Sequence, residues 1–251
     1  MFDGKTIHTL HFTSLDSTNT WANQHAADLD ATALTCITAD AQSAGYGQHA
    51  RPWYSPPLGN LYTTFFFVLP KDFRWTANLS QLLSLSTAEA LHEYGMSPSL
   101  KWPNDILLRE KKAGGVLCET HLRVDGLAIV IGLGLNVFIS QDQLSHIDQP
   151  ATSLAAHSQN LPTLSALLQT ILRNFLRNLQ ILRQDGFSPF VNTYNDLLAF
   201  KDQAIILTTP EGALTGICKR IDPEGRLVIA CADGLERHFA SGTLRRTMID
   251  D

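Results

Sequence analysis

The segment from Lys101 to Glu119 constrains the fold of this 251-residue chain more than any other stretch of its sequence. Pro103 has no amide hydrogen and disfavours helix at Trp102, so the segment should begin in an extended conformation. Two short apolar runs follow, at 106–108 and 116–118, and a polar turn separates them. The pattern predicts a strand, a turn and a second strand.

Charged residues and glycines on this hairpin predict an anion-binding site. Lys101 and Asp105 should lie near one end of the hairpin, and Lys112 near its return. Gly114 and Gly115 have no Cβ atom, so a ligand can approach the backbone of the second strand closely. The alternative is a surface hairpin with a solvated Lys-Lys turn. The Trp-Pro-Asn-Asp run and the paired glycines favour the site.

Composition and charge narrow the class of protein. With 44% hydrophobic and 17% charged residues, the chain can bury a core, and one larger domain with a small one is expected. The net charge of −5 argues against a general nucleic-acid binder. No apolar run reaches the ~18–20 residues that span a bilayer, and the N-terminus has no signal-peptide pattern. We therefore expect a cytoplasmic protein without a membrane partner.

The cysteines do not indicate a metal centre. They lie far apart in apolar, strand-like contexts and are predicted to be reduced core residues: Cys36, Cys118, Cys218 and Cys231. The sequence contains neither a Cys-x-x-Cys pair nor a Gly-x-Ser-x-Gly elbow, so zinc-site and hydrolase interpretations have no support.

Hydrophobic periodicity and turn signals predict an α+β fold. Strands are predicted at 7–12, 34–39, 61–69 and 127–137, and helices at 20–27, 78–94, 163–183 and 190–200. From Gln203 onward, short strands with turns at 210–212, 222–225 and 232–234 are typical of a small β-barrel. We place a domain boundary near residue 201.

Polar residues in two places are candidates for ligand binding. Residues 16–19, Asp-Ser-Thr-Asn, supply helix N-caps and a hydrogen-bonding platform, although plain capping explains any one of them alone. Asn136 follows two glycines in a buried strand and is placed to offer an amide to a ligand; a bulge without a ligand is the alternative.

The loop at 40–60 is too long to be a simple connection. Its Gly45–Ala50 run fits the dinucleotide pattern G-x-G-x-x-A, but prolines follow where a helix would have to form, so we reject a Rossmann fingerprint. Arg51, Trp53 and Tyr54 favour a loop that covers a ligand.

Motifs in order along nearly the whole chain resemble those of biotin–protein ligases. They are Asp16-Ser-Thr-Asn19, Gln42 with the glycine loop, Trp53-x-Ser55-Pro, Gly59-Asn-Leu-Tyr62, Lys101-Trp-Pro-Asn-Asp105, Lys112 with Gly115-x-x-x-Glu119, and Gly132-x-Gly-x-Asn136. The resemblance implies a mixed β-sheet with flanking helices in residues 1–200, the class II synthetase-like core of biotinyl and lipoyl ligases. It also implies an SH3-like barrel in residues 201–251.

The resemblance implies a two-step reaction. Biotin and MgATP form biotinyl-5′-AMP and pyrophosphate, and a lysine of a biotin carboxyl carrier protein then takes the acyl group. Lys112 is expected to bridge biotin's carboxylate and the α-phosphate, because two anions that meet need a positioned cation. Lys101 and Asp105 would orient the adenylate or assist the incoming amine, and structural pairing within the hairpin is the alternative. Mg²⁺ would help to hold the triphosphate.

The same resemblance assigns binding residues along the chain. Those implied to contact biotin are Ser17, Thr18, Asn19, Gln42, Tyr46, Gly47, Gln48, Lys112 and Gly115. Those implied to contact ATP or the adenylate are Gly45, Arg51, Trp53, Lys101 and Asn136.

One loop departs from the family pattern. The family reads Gly-Arg-Gly-Arg-x-Gly-Arg, whereas this chain has Tyr46 and Gln48 in place of the first two arginines. Neither residue can make an arginine's forked, charge-assisted contact with phosphate. We therefore predict weaker loop closure over the intermediate and faster release of biotinyl-AMP.

Two other functions remain open, and the partners follow from the resemblance. A lipoate or octanoate ligase shares the acyl-adenylate chemistry, and a non-catalytic sensor of biotin or its adenylate is the alternative from another class. DNA is not expected as a partner, because the ligand motif already begins at Asp16 and leaves no room for a winged helix-turn-helix. A homodimer remains open.

Overall fold

A computed structural model describes residues 6–57 and 59–247 and contains two β-sheets. The first has seven strands in the order β1-β2-β3-β7-β6-β5-β4, and only β1 and β2 pair in parallel. Its strands are β1 (Ile7–Phe12), β2 (Leu34–Ala39), β3 (Leu61–Leu69), β4 (Pro98–Lys101), β5 (Asp105–Leu108), β6 (Lys111–Leu122) and β7 (Leu127–Leu135). The mixed sheet and the α+β class agree with the predictions.

Helices cover both faces of this sheet. The α-helices of the described residues are α1 (Thr18–His25), α2 (Leu79–Glu93), the short α3 (Gln141–Leu144), α4 (Leu164–Asp185) and α5 (Val191–Leu197). The central strand β3 is buried on both faces, because Phe65 and Phe67 join the core formed with α2 and α4, whereas Phe66 joins the smaller core under α1. Residues on the α1 face of β3 can therefore reach the beginning of that helix.

The second sheet is antiparallel and has five strands in the order β11-β10-β9-β8-β12. The strands are β8 (Ala204–Thr209), β9 (Gly212–Ile221), β10 (Leu227–Cys231), β11 (Glu236–Phe239) and β12 (Thr243–Arg246). This matches the predicted small β-domain, and the proposed boundary near residue 201 lies in the turn before Ala204. The buried indole of Trp102 donates a hydrogen bond to the Gly225 carbonyl at 3.0 Å and so fastens the second sheet to the first.

Most predicted elements agree with the structure, and the central hairpin differs from its prediction. Lys101–Glu119 forms parts of three strands instead of two, because the residues after Pro103 turn the chain between β4 and β5. A second turn, at Arg109 and Glu110, joins β5 to β6. Helix α1 also begins two residues before its predicted start, since Ser17 acts as the N-cap and accepts from the Thr20 amide. Among the residues that the structure describes, no helix is long and apolar enough to cross a bilayer.

The two-residue turn between β5 and β6 stores backbone strain. Arg109 and Glu110 have φ values of +47° and +62°, a conformation that asparagine and glycine adopt more readily. The double substitution Arg109→Asn with Glu110→Gly is expected to raise the free energy of unfolding by about 1 kcal/mol, measured by urea denaturation. The exposed ion pair between Glu110 and Arg246 adds little to stability. A Glu110→Gln control, which removes that pair and keeps the strain, should be nearly neutral; equal gains in both variants would contradict the explanation.

Candidate active site

A cavity on the α1 face of the large sheet gathers nearly all the predicted binding residues. Its walls come from the start of α1, the loop at 46–53, strands β6 and β7, and residues 242–244 at the start of β12. The predicted residues that line it are Ser17, Thr18, Asn19, Gln42, Tyr46, Gly47, Gln48, Arg51, Trp53, Lys101, Asp105, Lys112 and Gly115. Gly45 lines an adjoining groove, which shares Lys101 and Lys112 with the cavity.

One end of the cavity is charged. Asp105 lies between two lysines: its Oδ1 is 2.6 Å from Lys112 Nζ and its Oδ2 is 3.1 Å from Lys101 Nζ. The Asp105 side chain is only 11% exposed, so the three charges are only partly screened by water. Lys112 Nζ also lies over the Trp53 ring, 5.3 Å from its centroid. Two cations and one carboxylate leave a net positive charge for an incoming anion.

Strand pairing brings these distant residues together. Lys101 ends β4 and pairs with Asp105 at the start of β5, while Lys112 lies near the start of β6, opposite Leu107. A register shift between Ile106 and Leu107 lies within this pairing. The Lys112 backbone is held on both sides, since its amide donates to Pro150 and its carbonyl accepts from the Thr152 amide, both at 2.9 Å.

Gly115 leaves the space that this charged group occupies. A Cβ atom at Gly115 would lie 3.2 Å from Lys112 Cε and 3.4 Å from Asp105 Oδ1. The glycine predicted to admit a ligand to the backbone therefore also makes room for the lysine and the carboxylate.

The other end of the cavity is uncharged and polar. The Gln42 side-chain oxygen accepts from the Thr18 amide at 2.8 Å and lies 3.2 Å from the Thr18 hydroxyl. The Gln42 amide then donates to the Ser55 hydroxyl at 2.9 Å, which ties the loop to α1. Tyr62 lines the same cavity, and burial raises the pKa of its phenol, which therefore remains protonated. This end supplies neutral donors and acceptors.

Asn19 is oriented from two sides. Its amide nitrogen donates to the Glu119 carboxylate at 2.9 Å, and its oxygen accepts from the Thr64 hydroxyl at 2.7 Å. A Cβ atom at Gly132 would lie 2.2 Å from Asn19 Oδ1. One at Gly134 would lie 2.5 Å from the Trp53 ring. Side chains of the chain itself therefore occupy the space that these two glycines leave.

Asn136 is the predicted site residue that the structure places away from this cavity. The residue is 2% exposed, and its side-chain amide donates to the Thr152 carbonyl at 3.1 Å. Its backbone amide donates to the Ala113 carbonyl at 2.8 Å. In this structure the side-chain amide binds the segment that also holds the Lys112 backbone. A role near the nucleotide stays a prediction.

Several contributors to the site were not assigned from the sequence. Thr64 gave one available signal, because Thr63 and Thr64 are two consecutive hydroxyl residues inside a fully buried strand that is otherwise aliphatic and aromatic. Glu119 was only part of a motif, and the structure shows that it accepts from three side chains. Thr243 and Leu244 line the cavity from the second sheet, and no local pattern marks them. Within the described residues, no group of three or more His, Cys, Asp or Glu side chains is arranged to hold a metal ion.

Comparison with known families agrees with this two-part architecture. Residues 11–136 match the Biotin/lipoate A/B protein ligase family, and residues 202–243 match the Biotin protein ligase C terminal domain. The chain therefore belongs to the biotin/lipoate A/B protein ligase family and is an enzyme of its biotin protein ligase class.

Individual relatives support this assignment. The chain is 30% identical to the Bifunctional ligase/repressor BirA of Escherichia coli, over 92% of this chain and 71% of the relative. It is 28% identical to the Biotin–[acetyl-CoA-carboxylase] ligase of Paracoccus denitrificans, over 85% of this chain and 90% of that protein. A solved biotin protein ligase from Aquifex aeolicus, in complex with biotin and ATP, superposes with a TM-score of 0.80 at 30% identity, covering 96% of this chain and 99% of that one.

Proposed function

We propose that this enzyme activates biotin with ATP to biotinyl-5′-AMP and transfers the biotinyl group to a lysine of a biotin carboxyl carrier protein. One observation carries the proposal: the cavity has a cationic end, with Lys101 and Lys112 around Asp105, and a neutral polar end at Thr18, Asn19 and Gln42. A substrate with a carboxylate at one end and a neutral hydrogen-bonding group at the other fits this polarity. The related Aquifex aeolicus ligase binds biotin and ATP.

The charged end explains how the first step is accelerated. Biotin's carboxylate must attack the α-phosphorus of ATP, and the two negative groups repel each other. Lys112 can neutralise both while pyrophosphate leaves, and Asp105 holds its ammonium in place before the substrates bind. Lys101, on the other oxygen of Asp105, adds a second positive charge.

Mg²⁺ enters this scheme as part of the MgATP substrate. The one carboxylate among the three charged residues, Asp105, has both oxygens engaged by lysines, so it is not arranged as a ligand of the metal. Magnesium commonly relies on phosphate oxygens and water with few protein ligands, which fits this site. A carrier protein as the acyl acceptor, a cytoplasmic location and a homodimer stay predictions.

Pyrophosphate exchange tests the acyl donor. We expect biotin to drive ATP–pyrophosphate exchange, and lipoate and octanoate added separately to leave it at background. Exchange driven by lipoate or octanoate instead would identify the competing ligase activity. Tight biotin binding with neither exchange nor transfer to a carrier domain would support the non-catalytic sensor.

The substituted loop predicts how long the intermediate is retained. Gln48 lies exposed at the cavity wall, where it cannot neutralise phosphate. Gln48→Arg is expected to slow release of biotinyl-AMP about tenfold, because a charge-assisted contact with phosphate is added. Release is measured by stopped-flow or by chase with unlabelled biotin, and the exposed His49→Arg serves as a charge-matched control. Slow release in the unsubstituted enzyme that Gln48→Arg leaves unchanged would contradict the prediction.

A further inference from the structure

Glu119 receives hydrogen bonds from two separate parts of the chain. The amides of Asn19 and Asn23, both on α1, donate to its carboxylate at 2.9 and 3.1 Å. The phenol of Tyr46, in the loop at 45–51, donates to the same oxygen at 3.0 Å. Glu119 lies on β6, the strand that also carries Lys112. One carboxylate therefore joins the helix, the loop and the strand that surround the cavity.

The chemistry of this contact is well defined. Burial raises the pKa of the Tyr46 phenol, and the negative charge of Glu119 raises it further, so Tyr46 keeps its proton and acts as the donor. A hydrogen bond to an ionised acceptor is stronger than one between neutral groups. Both partners of this hydrogen bond belong to the chain, so it forms without a ligand. The arginine that the family pattern has at this position would instead need the phosphate of a ligand as its partner.

The loop itself needs such an anchor. Two backbone hydrogen bonds close it, from the Gly47 amide to the Arg51 carbonyl and from the Trp53 amide to the Gly45 carbonyl, both at 2.8 Å. His49 and Ala50, however, have φ values of +57° and +54°, which residues with a Cβ atom adopt at a cost. Contacts elsewhere in the loop must hold this conformation.

We propose that Tyr46 and Glu119 form a latch that fixes the loop at 45–51 over the cavity and holds Asn19 towards the ligand. Both are positioning residues, acting through the loop backbone and through Asn19. The inference rests on the proposed function only for the identity of the ligand, biotin. The latch would also order the loop at 45–51 in a chain that lacks the first two arginines of the family pattern.

Amide hydrogen exchange of the protein without substrates tests the latch directly. In Tyr46→Phe, exchange at Gly47 and Trp53 should accelerate at least tenfold, because the loss of one hydrogen bond to a carboxylate favours opening. Tyr94→Phe is the matched control, since it removes a phenol that contacts the Thr170 hydroxyl at 3.0 Å outside the site. Unchanged protection at Gly47 and Trp53 in Tyr46→Phe, or equal acceleration in both variants, overturns the latch.

A double-mutant cycle tests the pairing of the two residues. Glu119→Gln keeps the shape of the side chain and removes its charge. Tyr46→Phe should accelerate amide hydrogen exchange at Gly47 and Trp53 less in the Glu119→Gln variant than in the unsubstituted enzyme. Purely additive effects would overturn the pairing.

Kinetics then connect the latch to the substrate. Tyr46→Phe should raise the KM for biotin in pyrophosphate exchange about tenfold and leave kcat within about twofold, because the loop must be ordered before binding. A fall in kcat alone would contradict the positioning role. Amide hydrogen exchange can show the latch while biotin drives no pyrophosphate exchange in the unsubstituted enzyme. In that case the proposed function fails and the latch stands.

Discussion

Replacing Lys112 with glutamine is expected to reduce biotin-dependent pyrophosphate exchange about 10²- to 10³-fold, the usual cost of removing a group that stabilises developing charge. Glutamine keeps most of the side-chain length and can donate hydrogen bonds, but it cannot neutralise a carboxylate and a phosphate that approach each other. The loss should appear in kcat more than in the KM for biotin, because the repulsion is greatest in the transition state.

The neighbouring lysine provides a control for this variant. Lys111 is exposed and precedes Lys112 on the same strand, so Lys111→Gln makes the same change of charge outside the cavity. We expect exchange within about twofold of the unsubstituted enzyme for Lys111→Gln, since exposed charges contribute little at physiological salt. Equal losses of pyrophosphate exchange in the two variants would show that the overall charge of the protein matters. They would contradict the proposed role of Lys112 at the reacting groups.

The sequence predicted the elements of the fold well, for physical reasons. Strands such as β3 and helices such as α4 bury long apolar stripes, and periodicity reports those stripes directly. The hairpin was predicted with one strand too few, because β4 has only four residues, Pro98–Lys101, and its apolar signal is too short to recognise. The order of the strands in the sheet could not be predicted from local sequence patterns, because neighbouring strands such as β3 and β7 are far apart in the chain.

The candidate site was predictable where its residues belong to compact motifs. Lys101, Asp105 and Lys112 lie within 12 residues of one another, and the structure brings all three together. The contact between Tyr46 and Glu119 joins residues 73 positions apart, and the contribution of Thr243 comes from the other sheet. Such contacts depend on tertiary packing. Asn136 shows the converse: it belongs to a recognisable motif, yet it does not line the cavity and contacts the segment that holds the Lys112 backbone.

Replacing Asp105 with asparagine is expected to lower both the stability and the activity of the enzyme. Asp105 accepts from Lys112 and Lys101 at 2.6 and 3.1 Å, and removing its charge leaves two partly buried ammonium groups that repel each other. We expect the free energy of unfolding to fall by about 2 kcal/mol, as for the loss of hydrogen bonds to charged groups. ATP should stabilise the variant against urea more than it stabilises the unsubstituted enzyme, because phosphates then replace the missing negative charge.

The same variant separates the two roles that the sequence left open for Asp105. Both of its carboxylate oxygens are engaged by lysines, so we expect a role in holding those lysines, with adenylation and transfer to a carrier domain each reduced about 10- to 100-fold. Glu110→Gln, the same kind of change at an exposed turn of the hairpin, should leave both steps within about twofold. A loss confined to transfer, measured with biotinyl-AMP supplied directly, would instead assign Asp105 the role of base for the incoming amine.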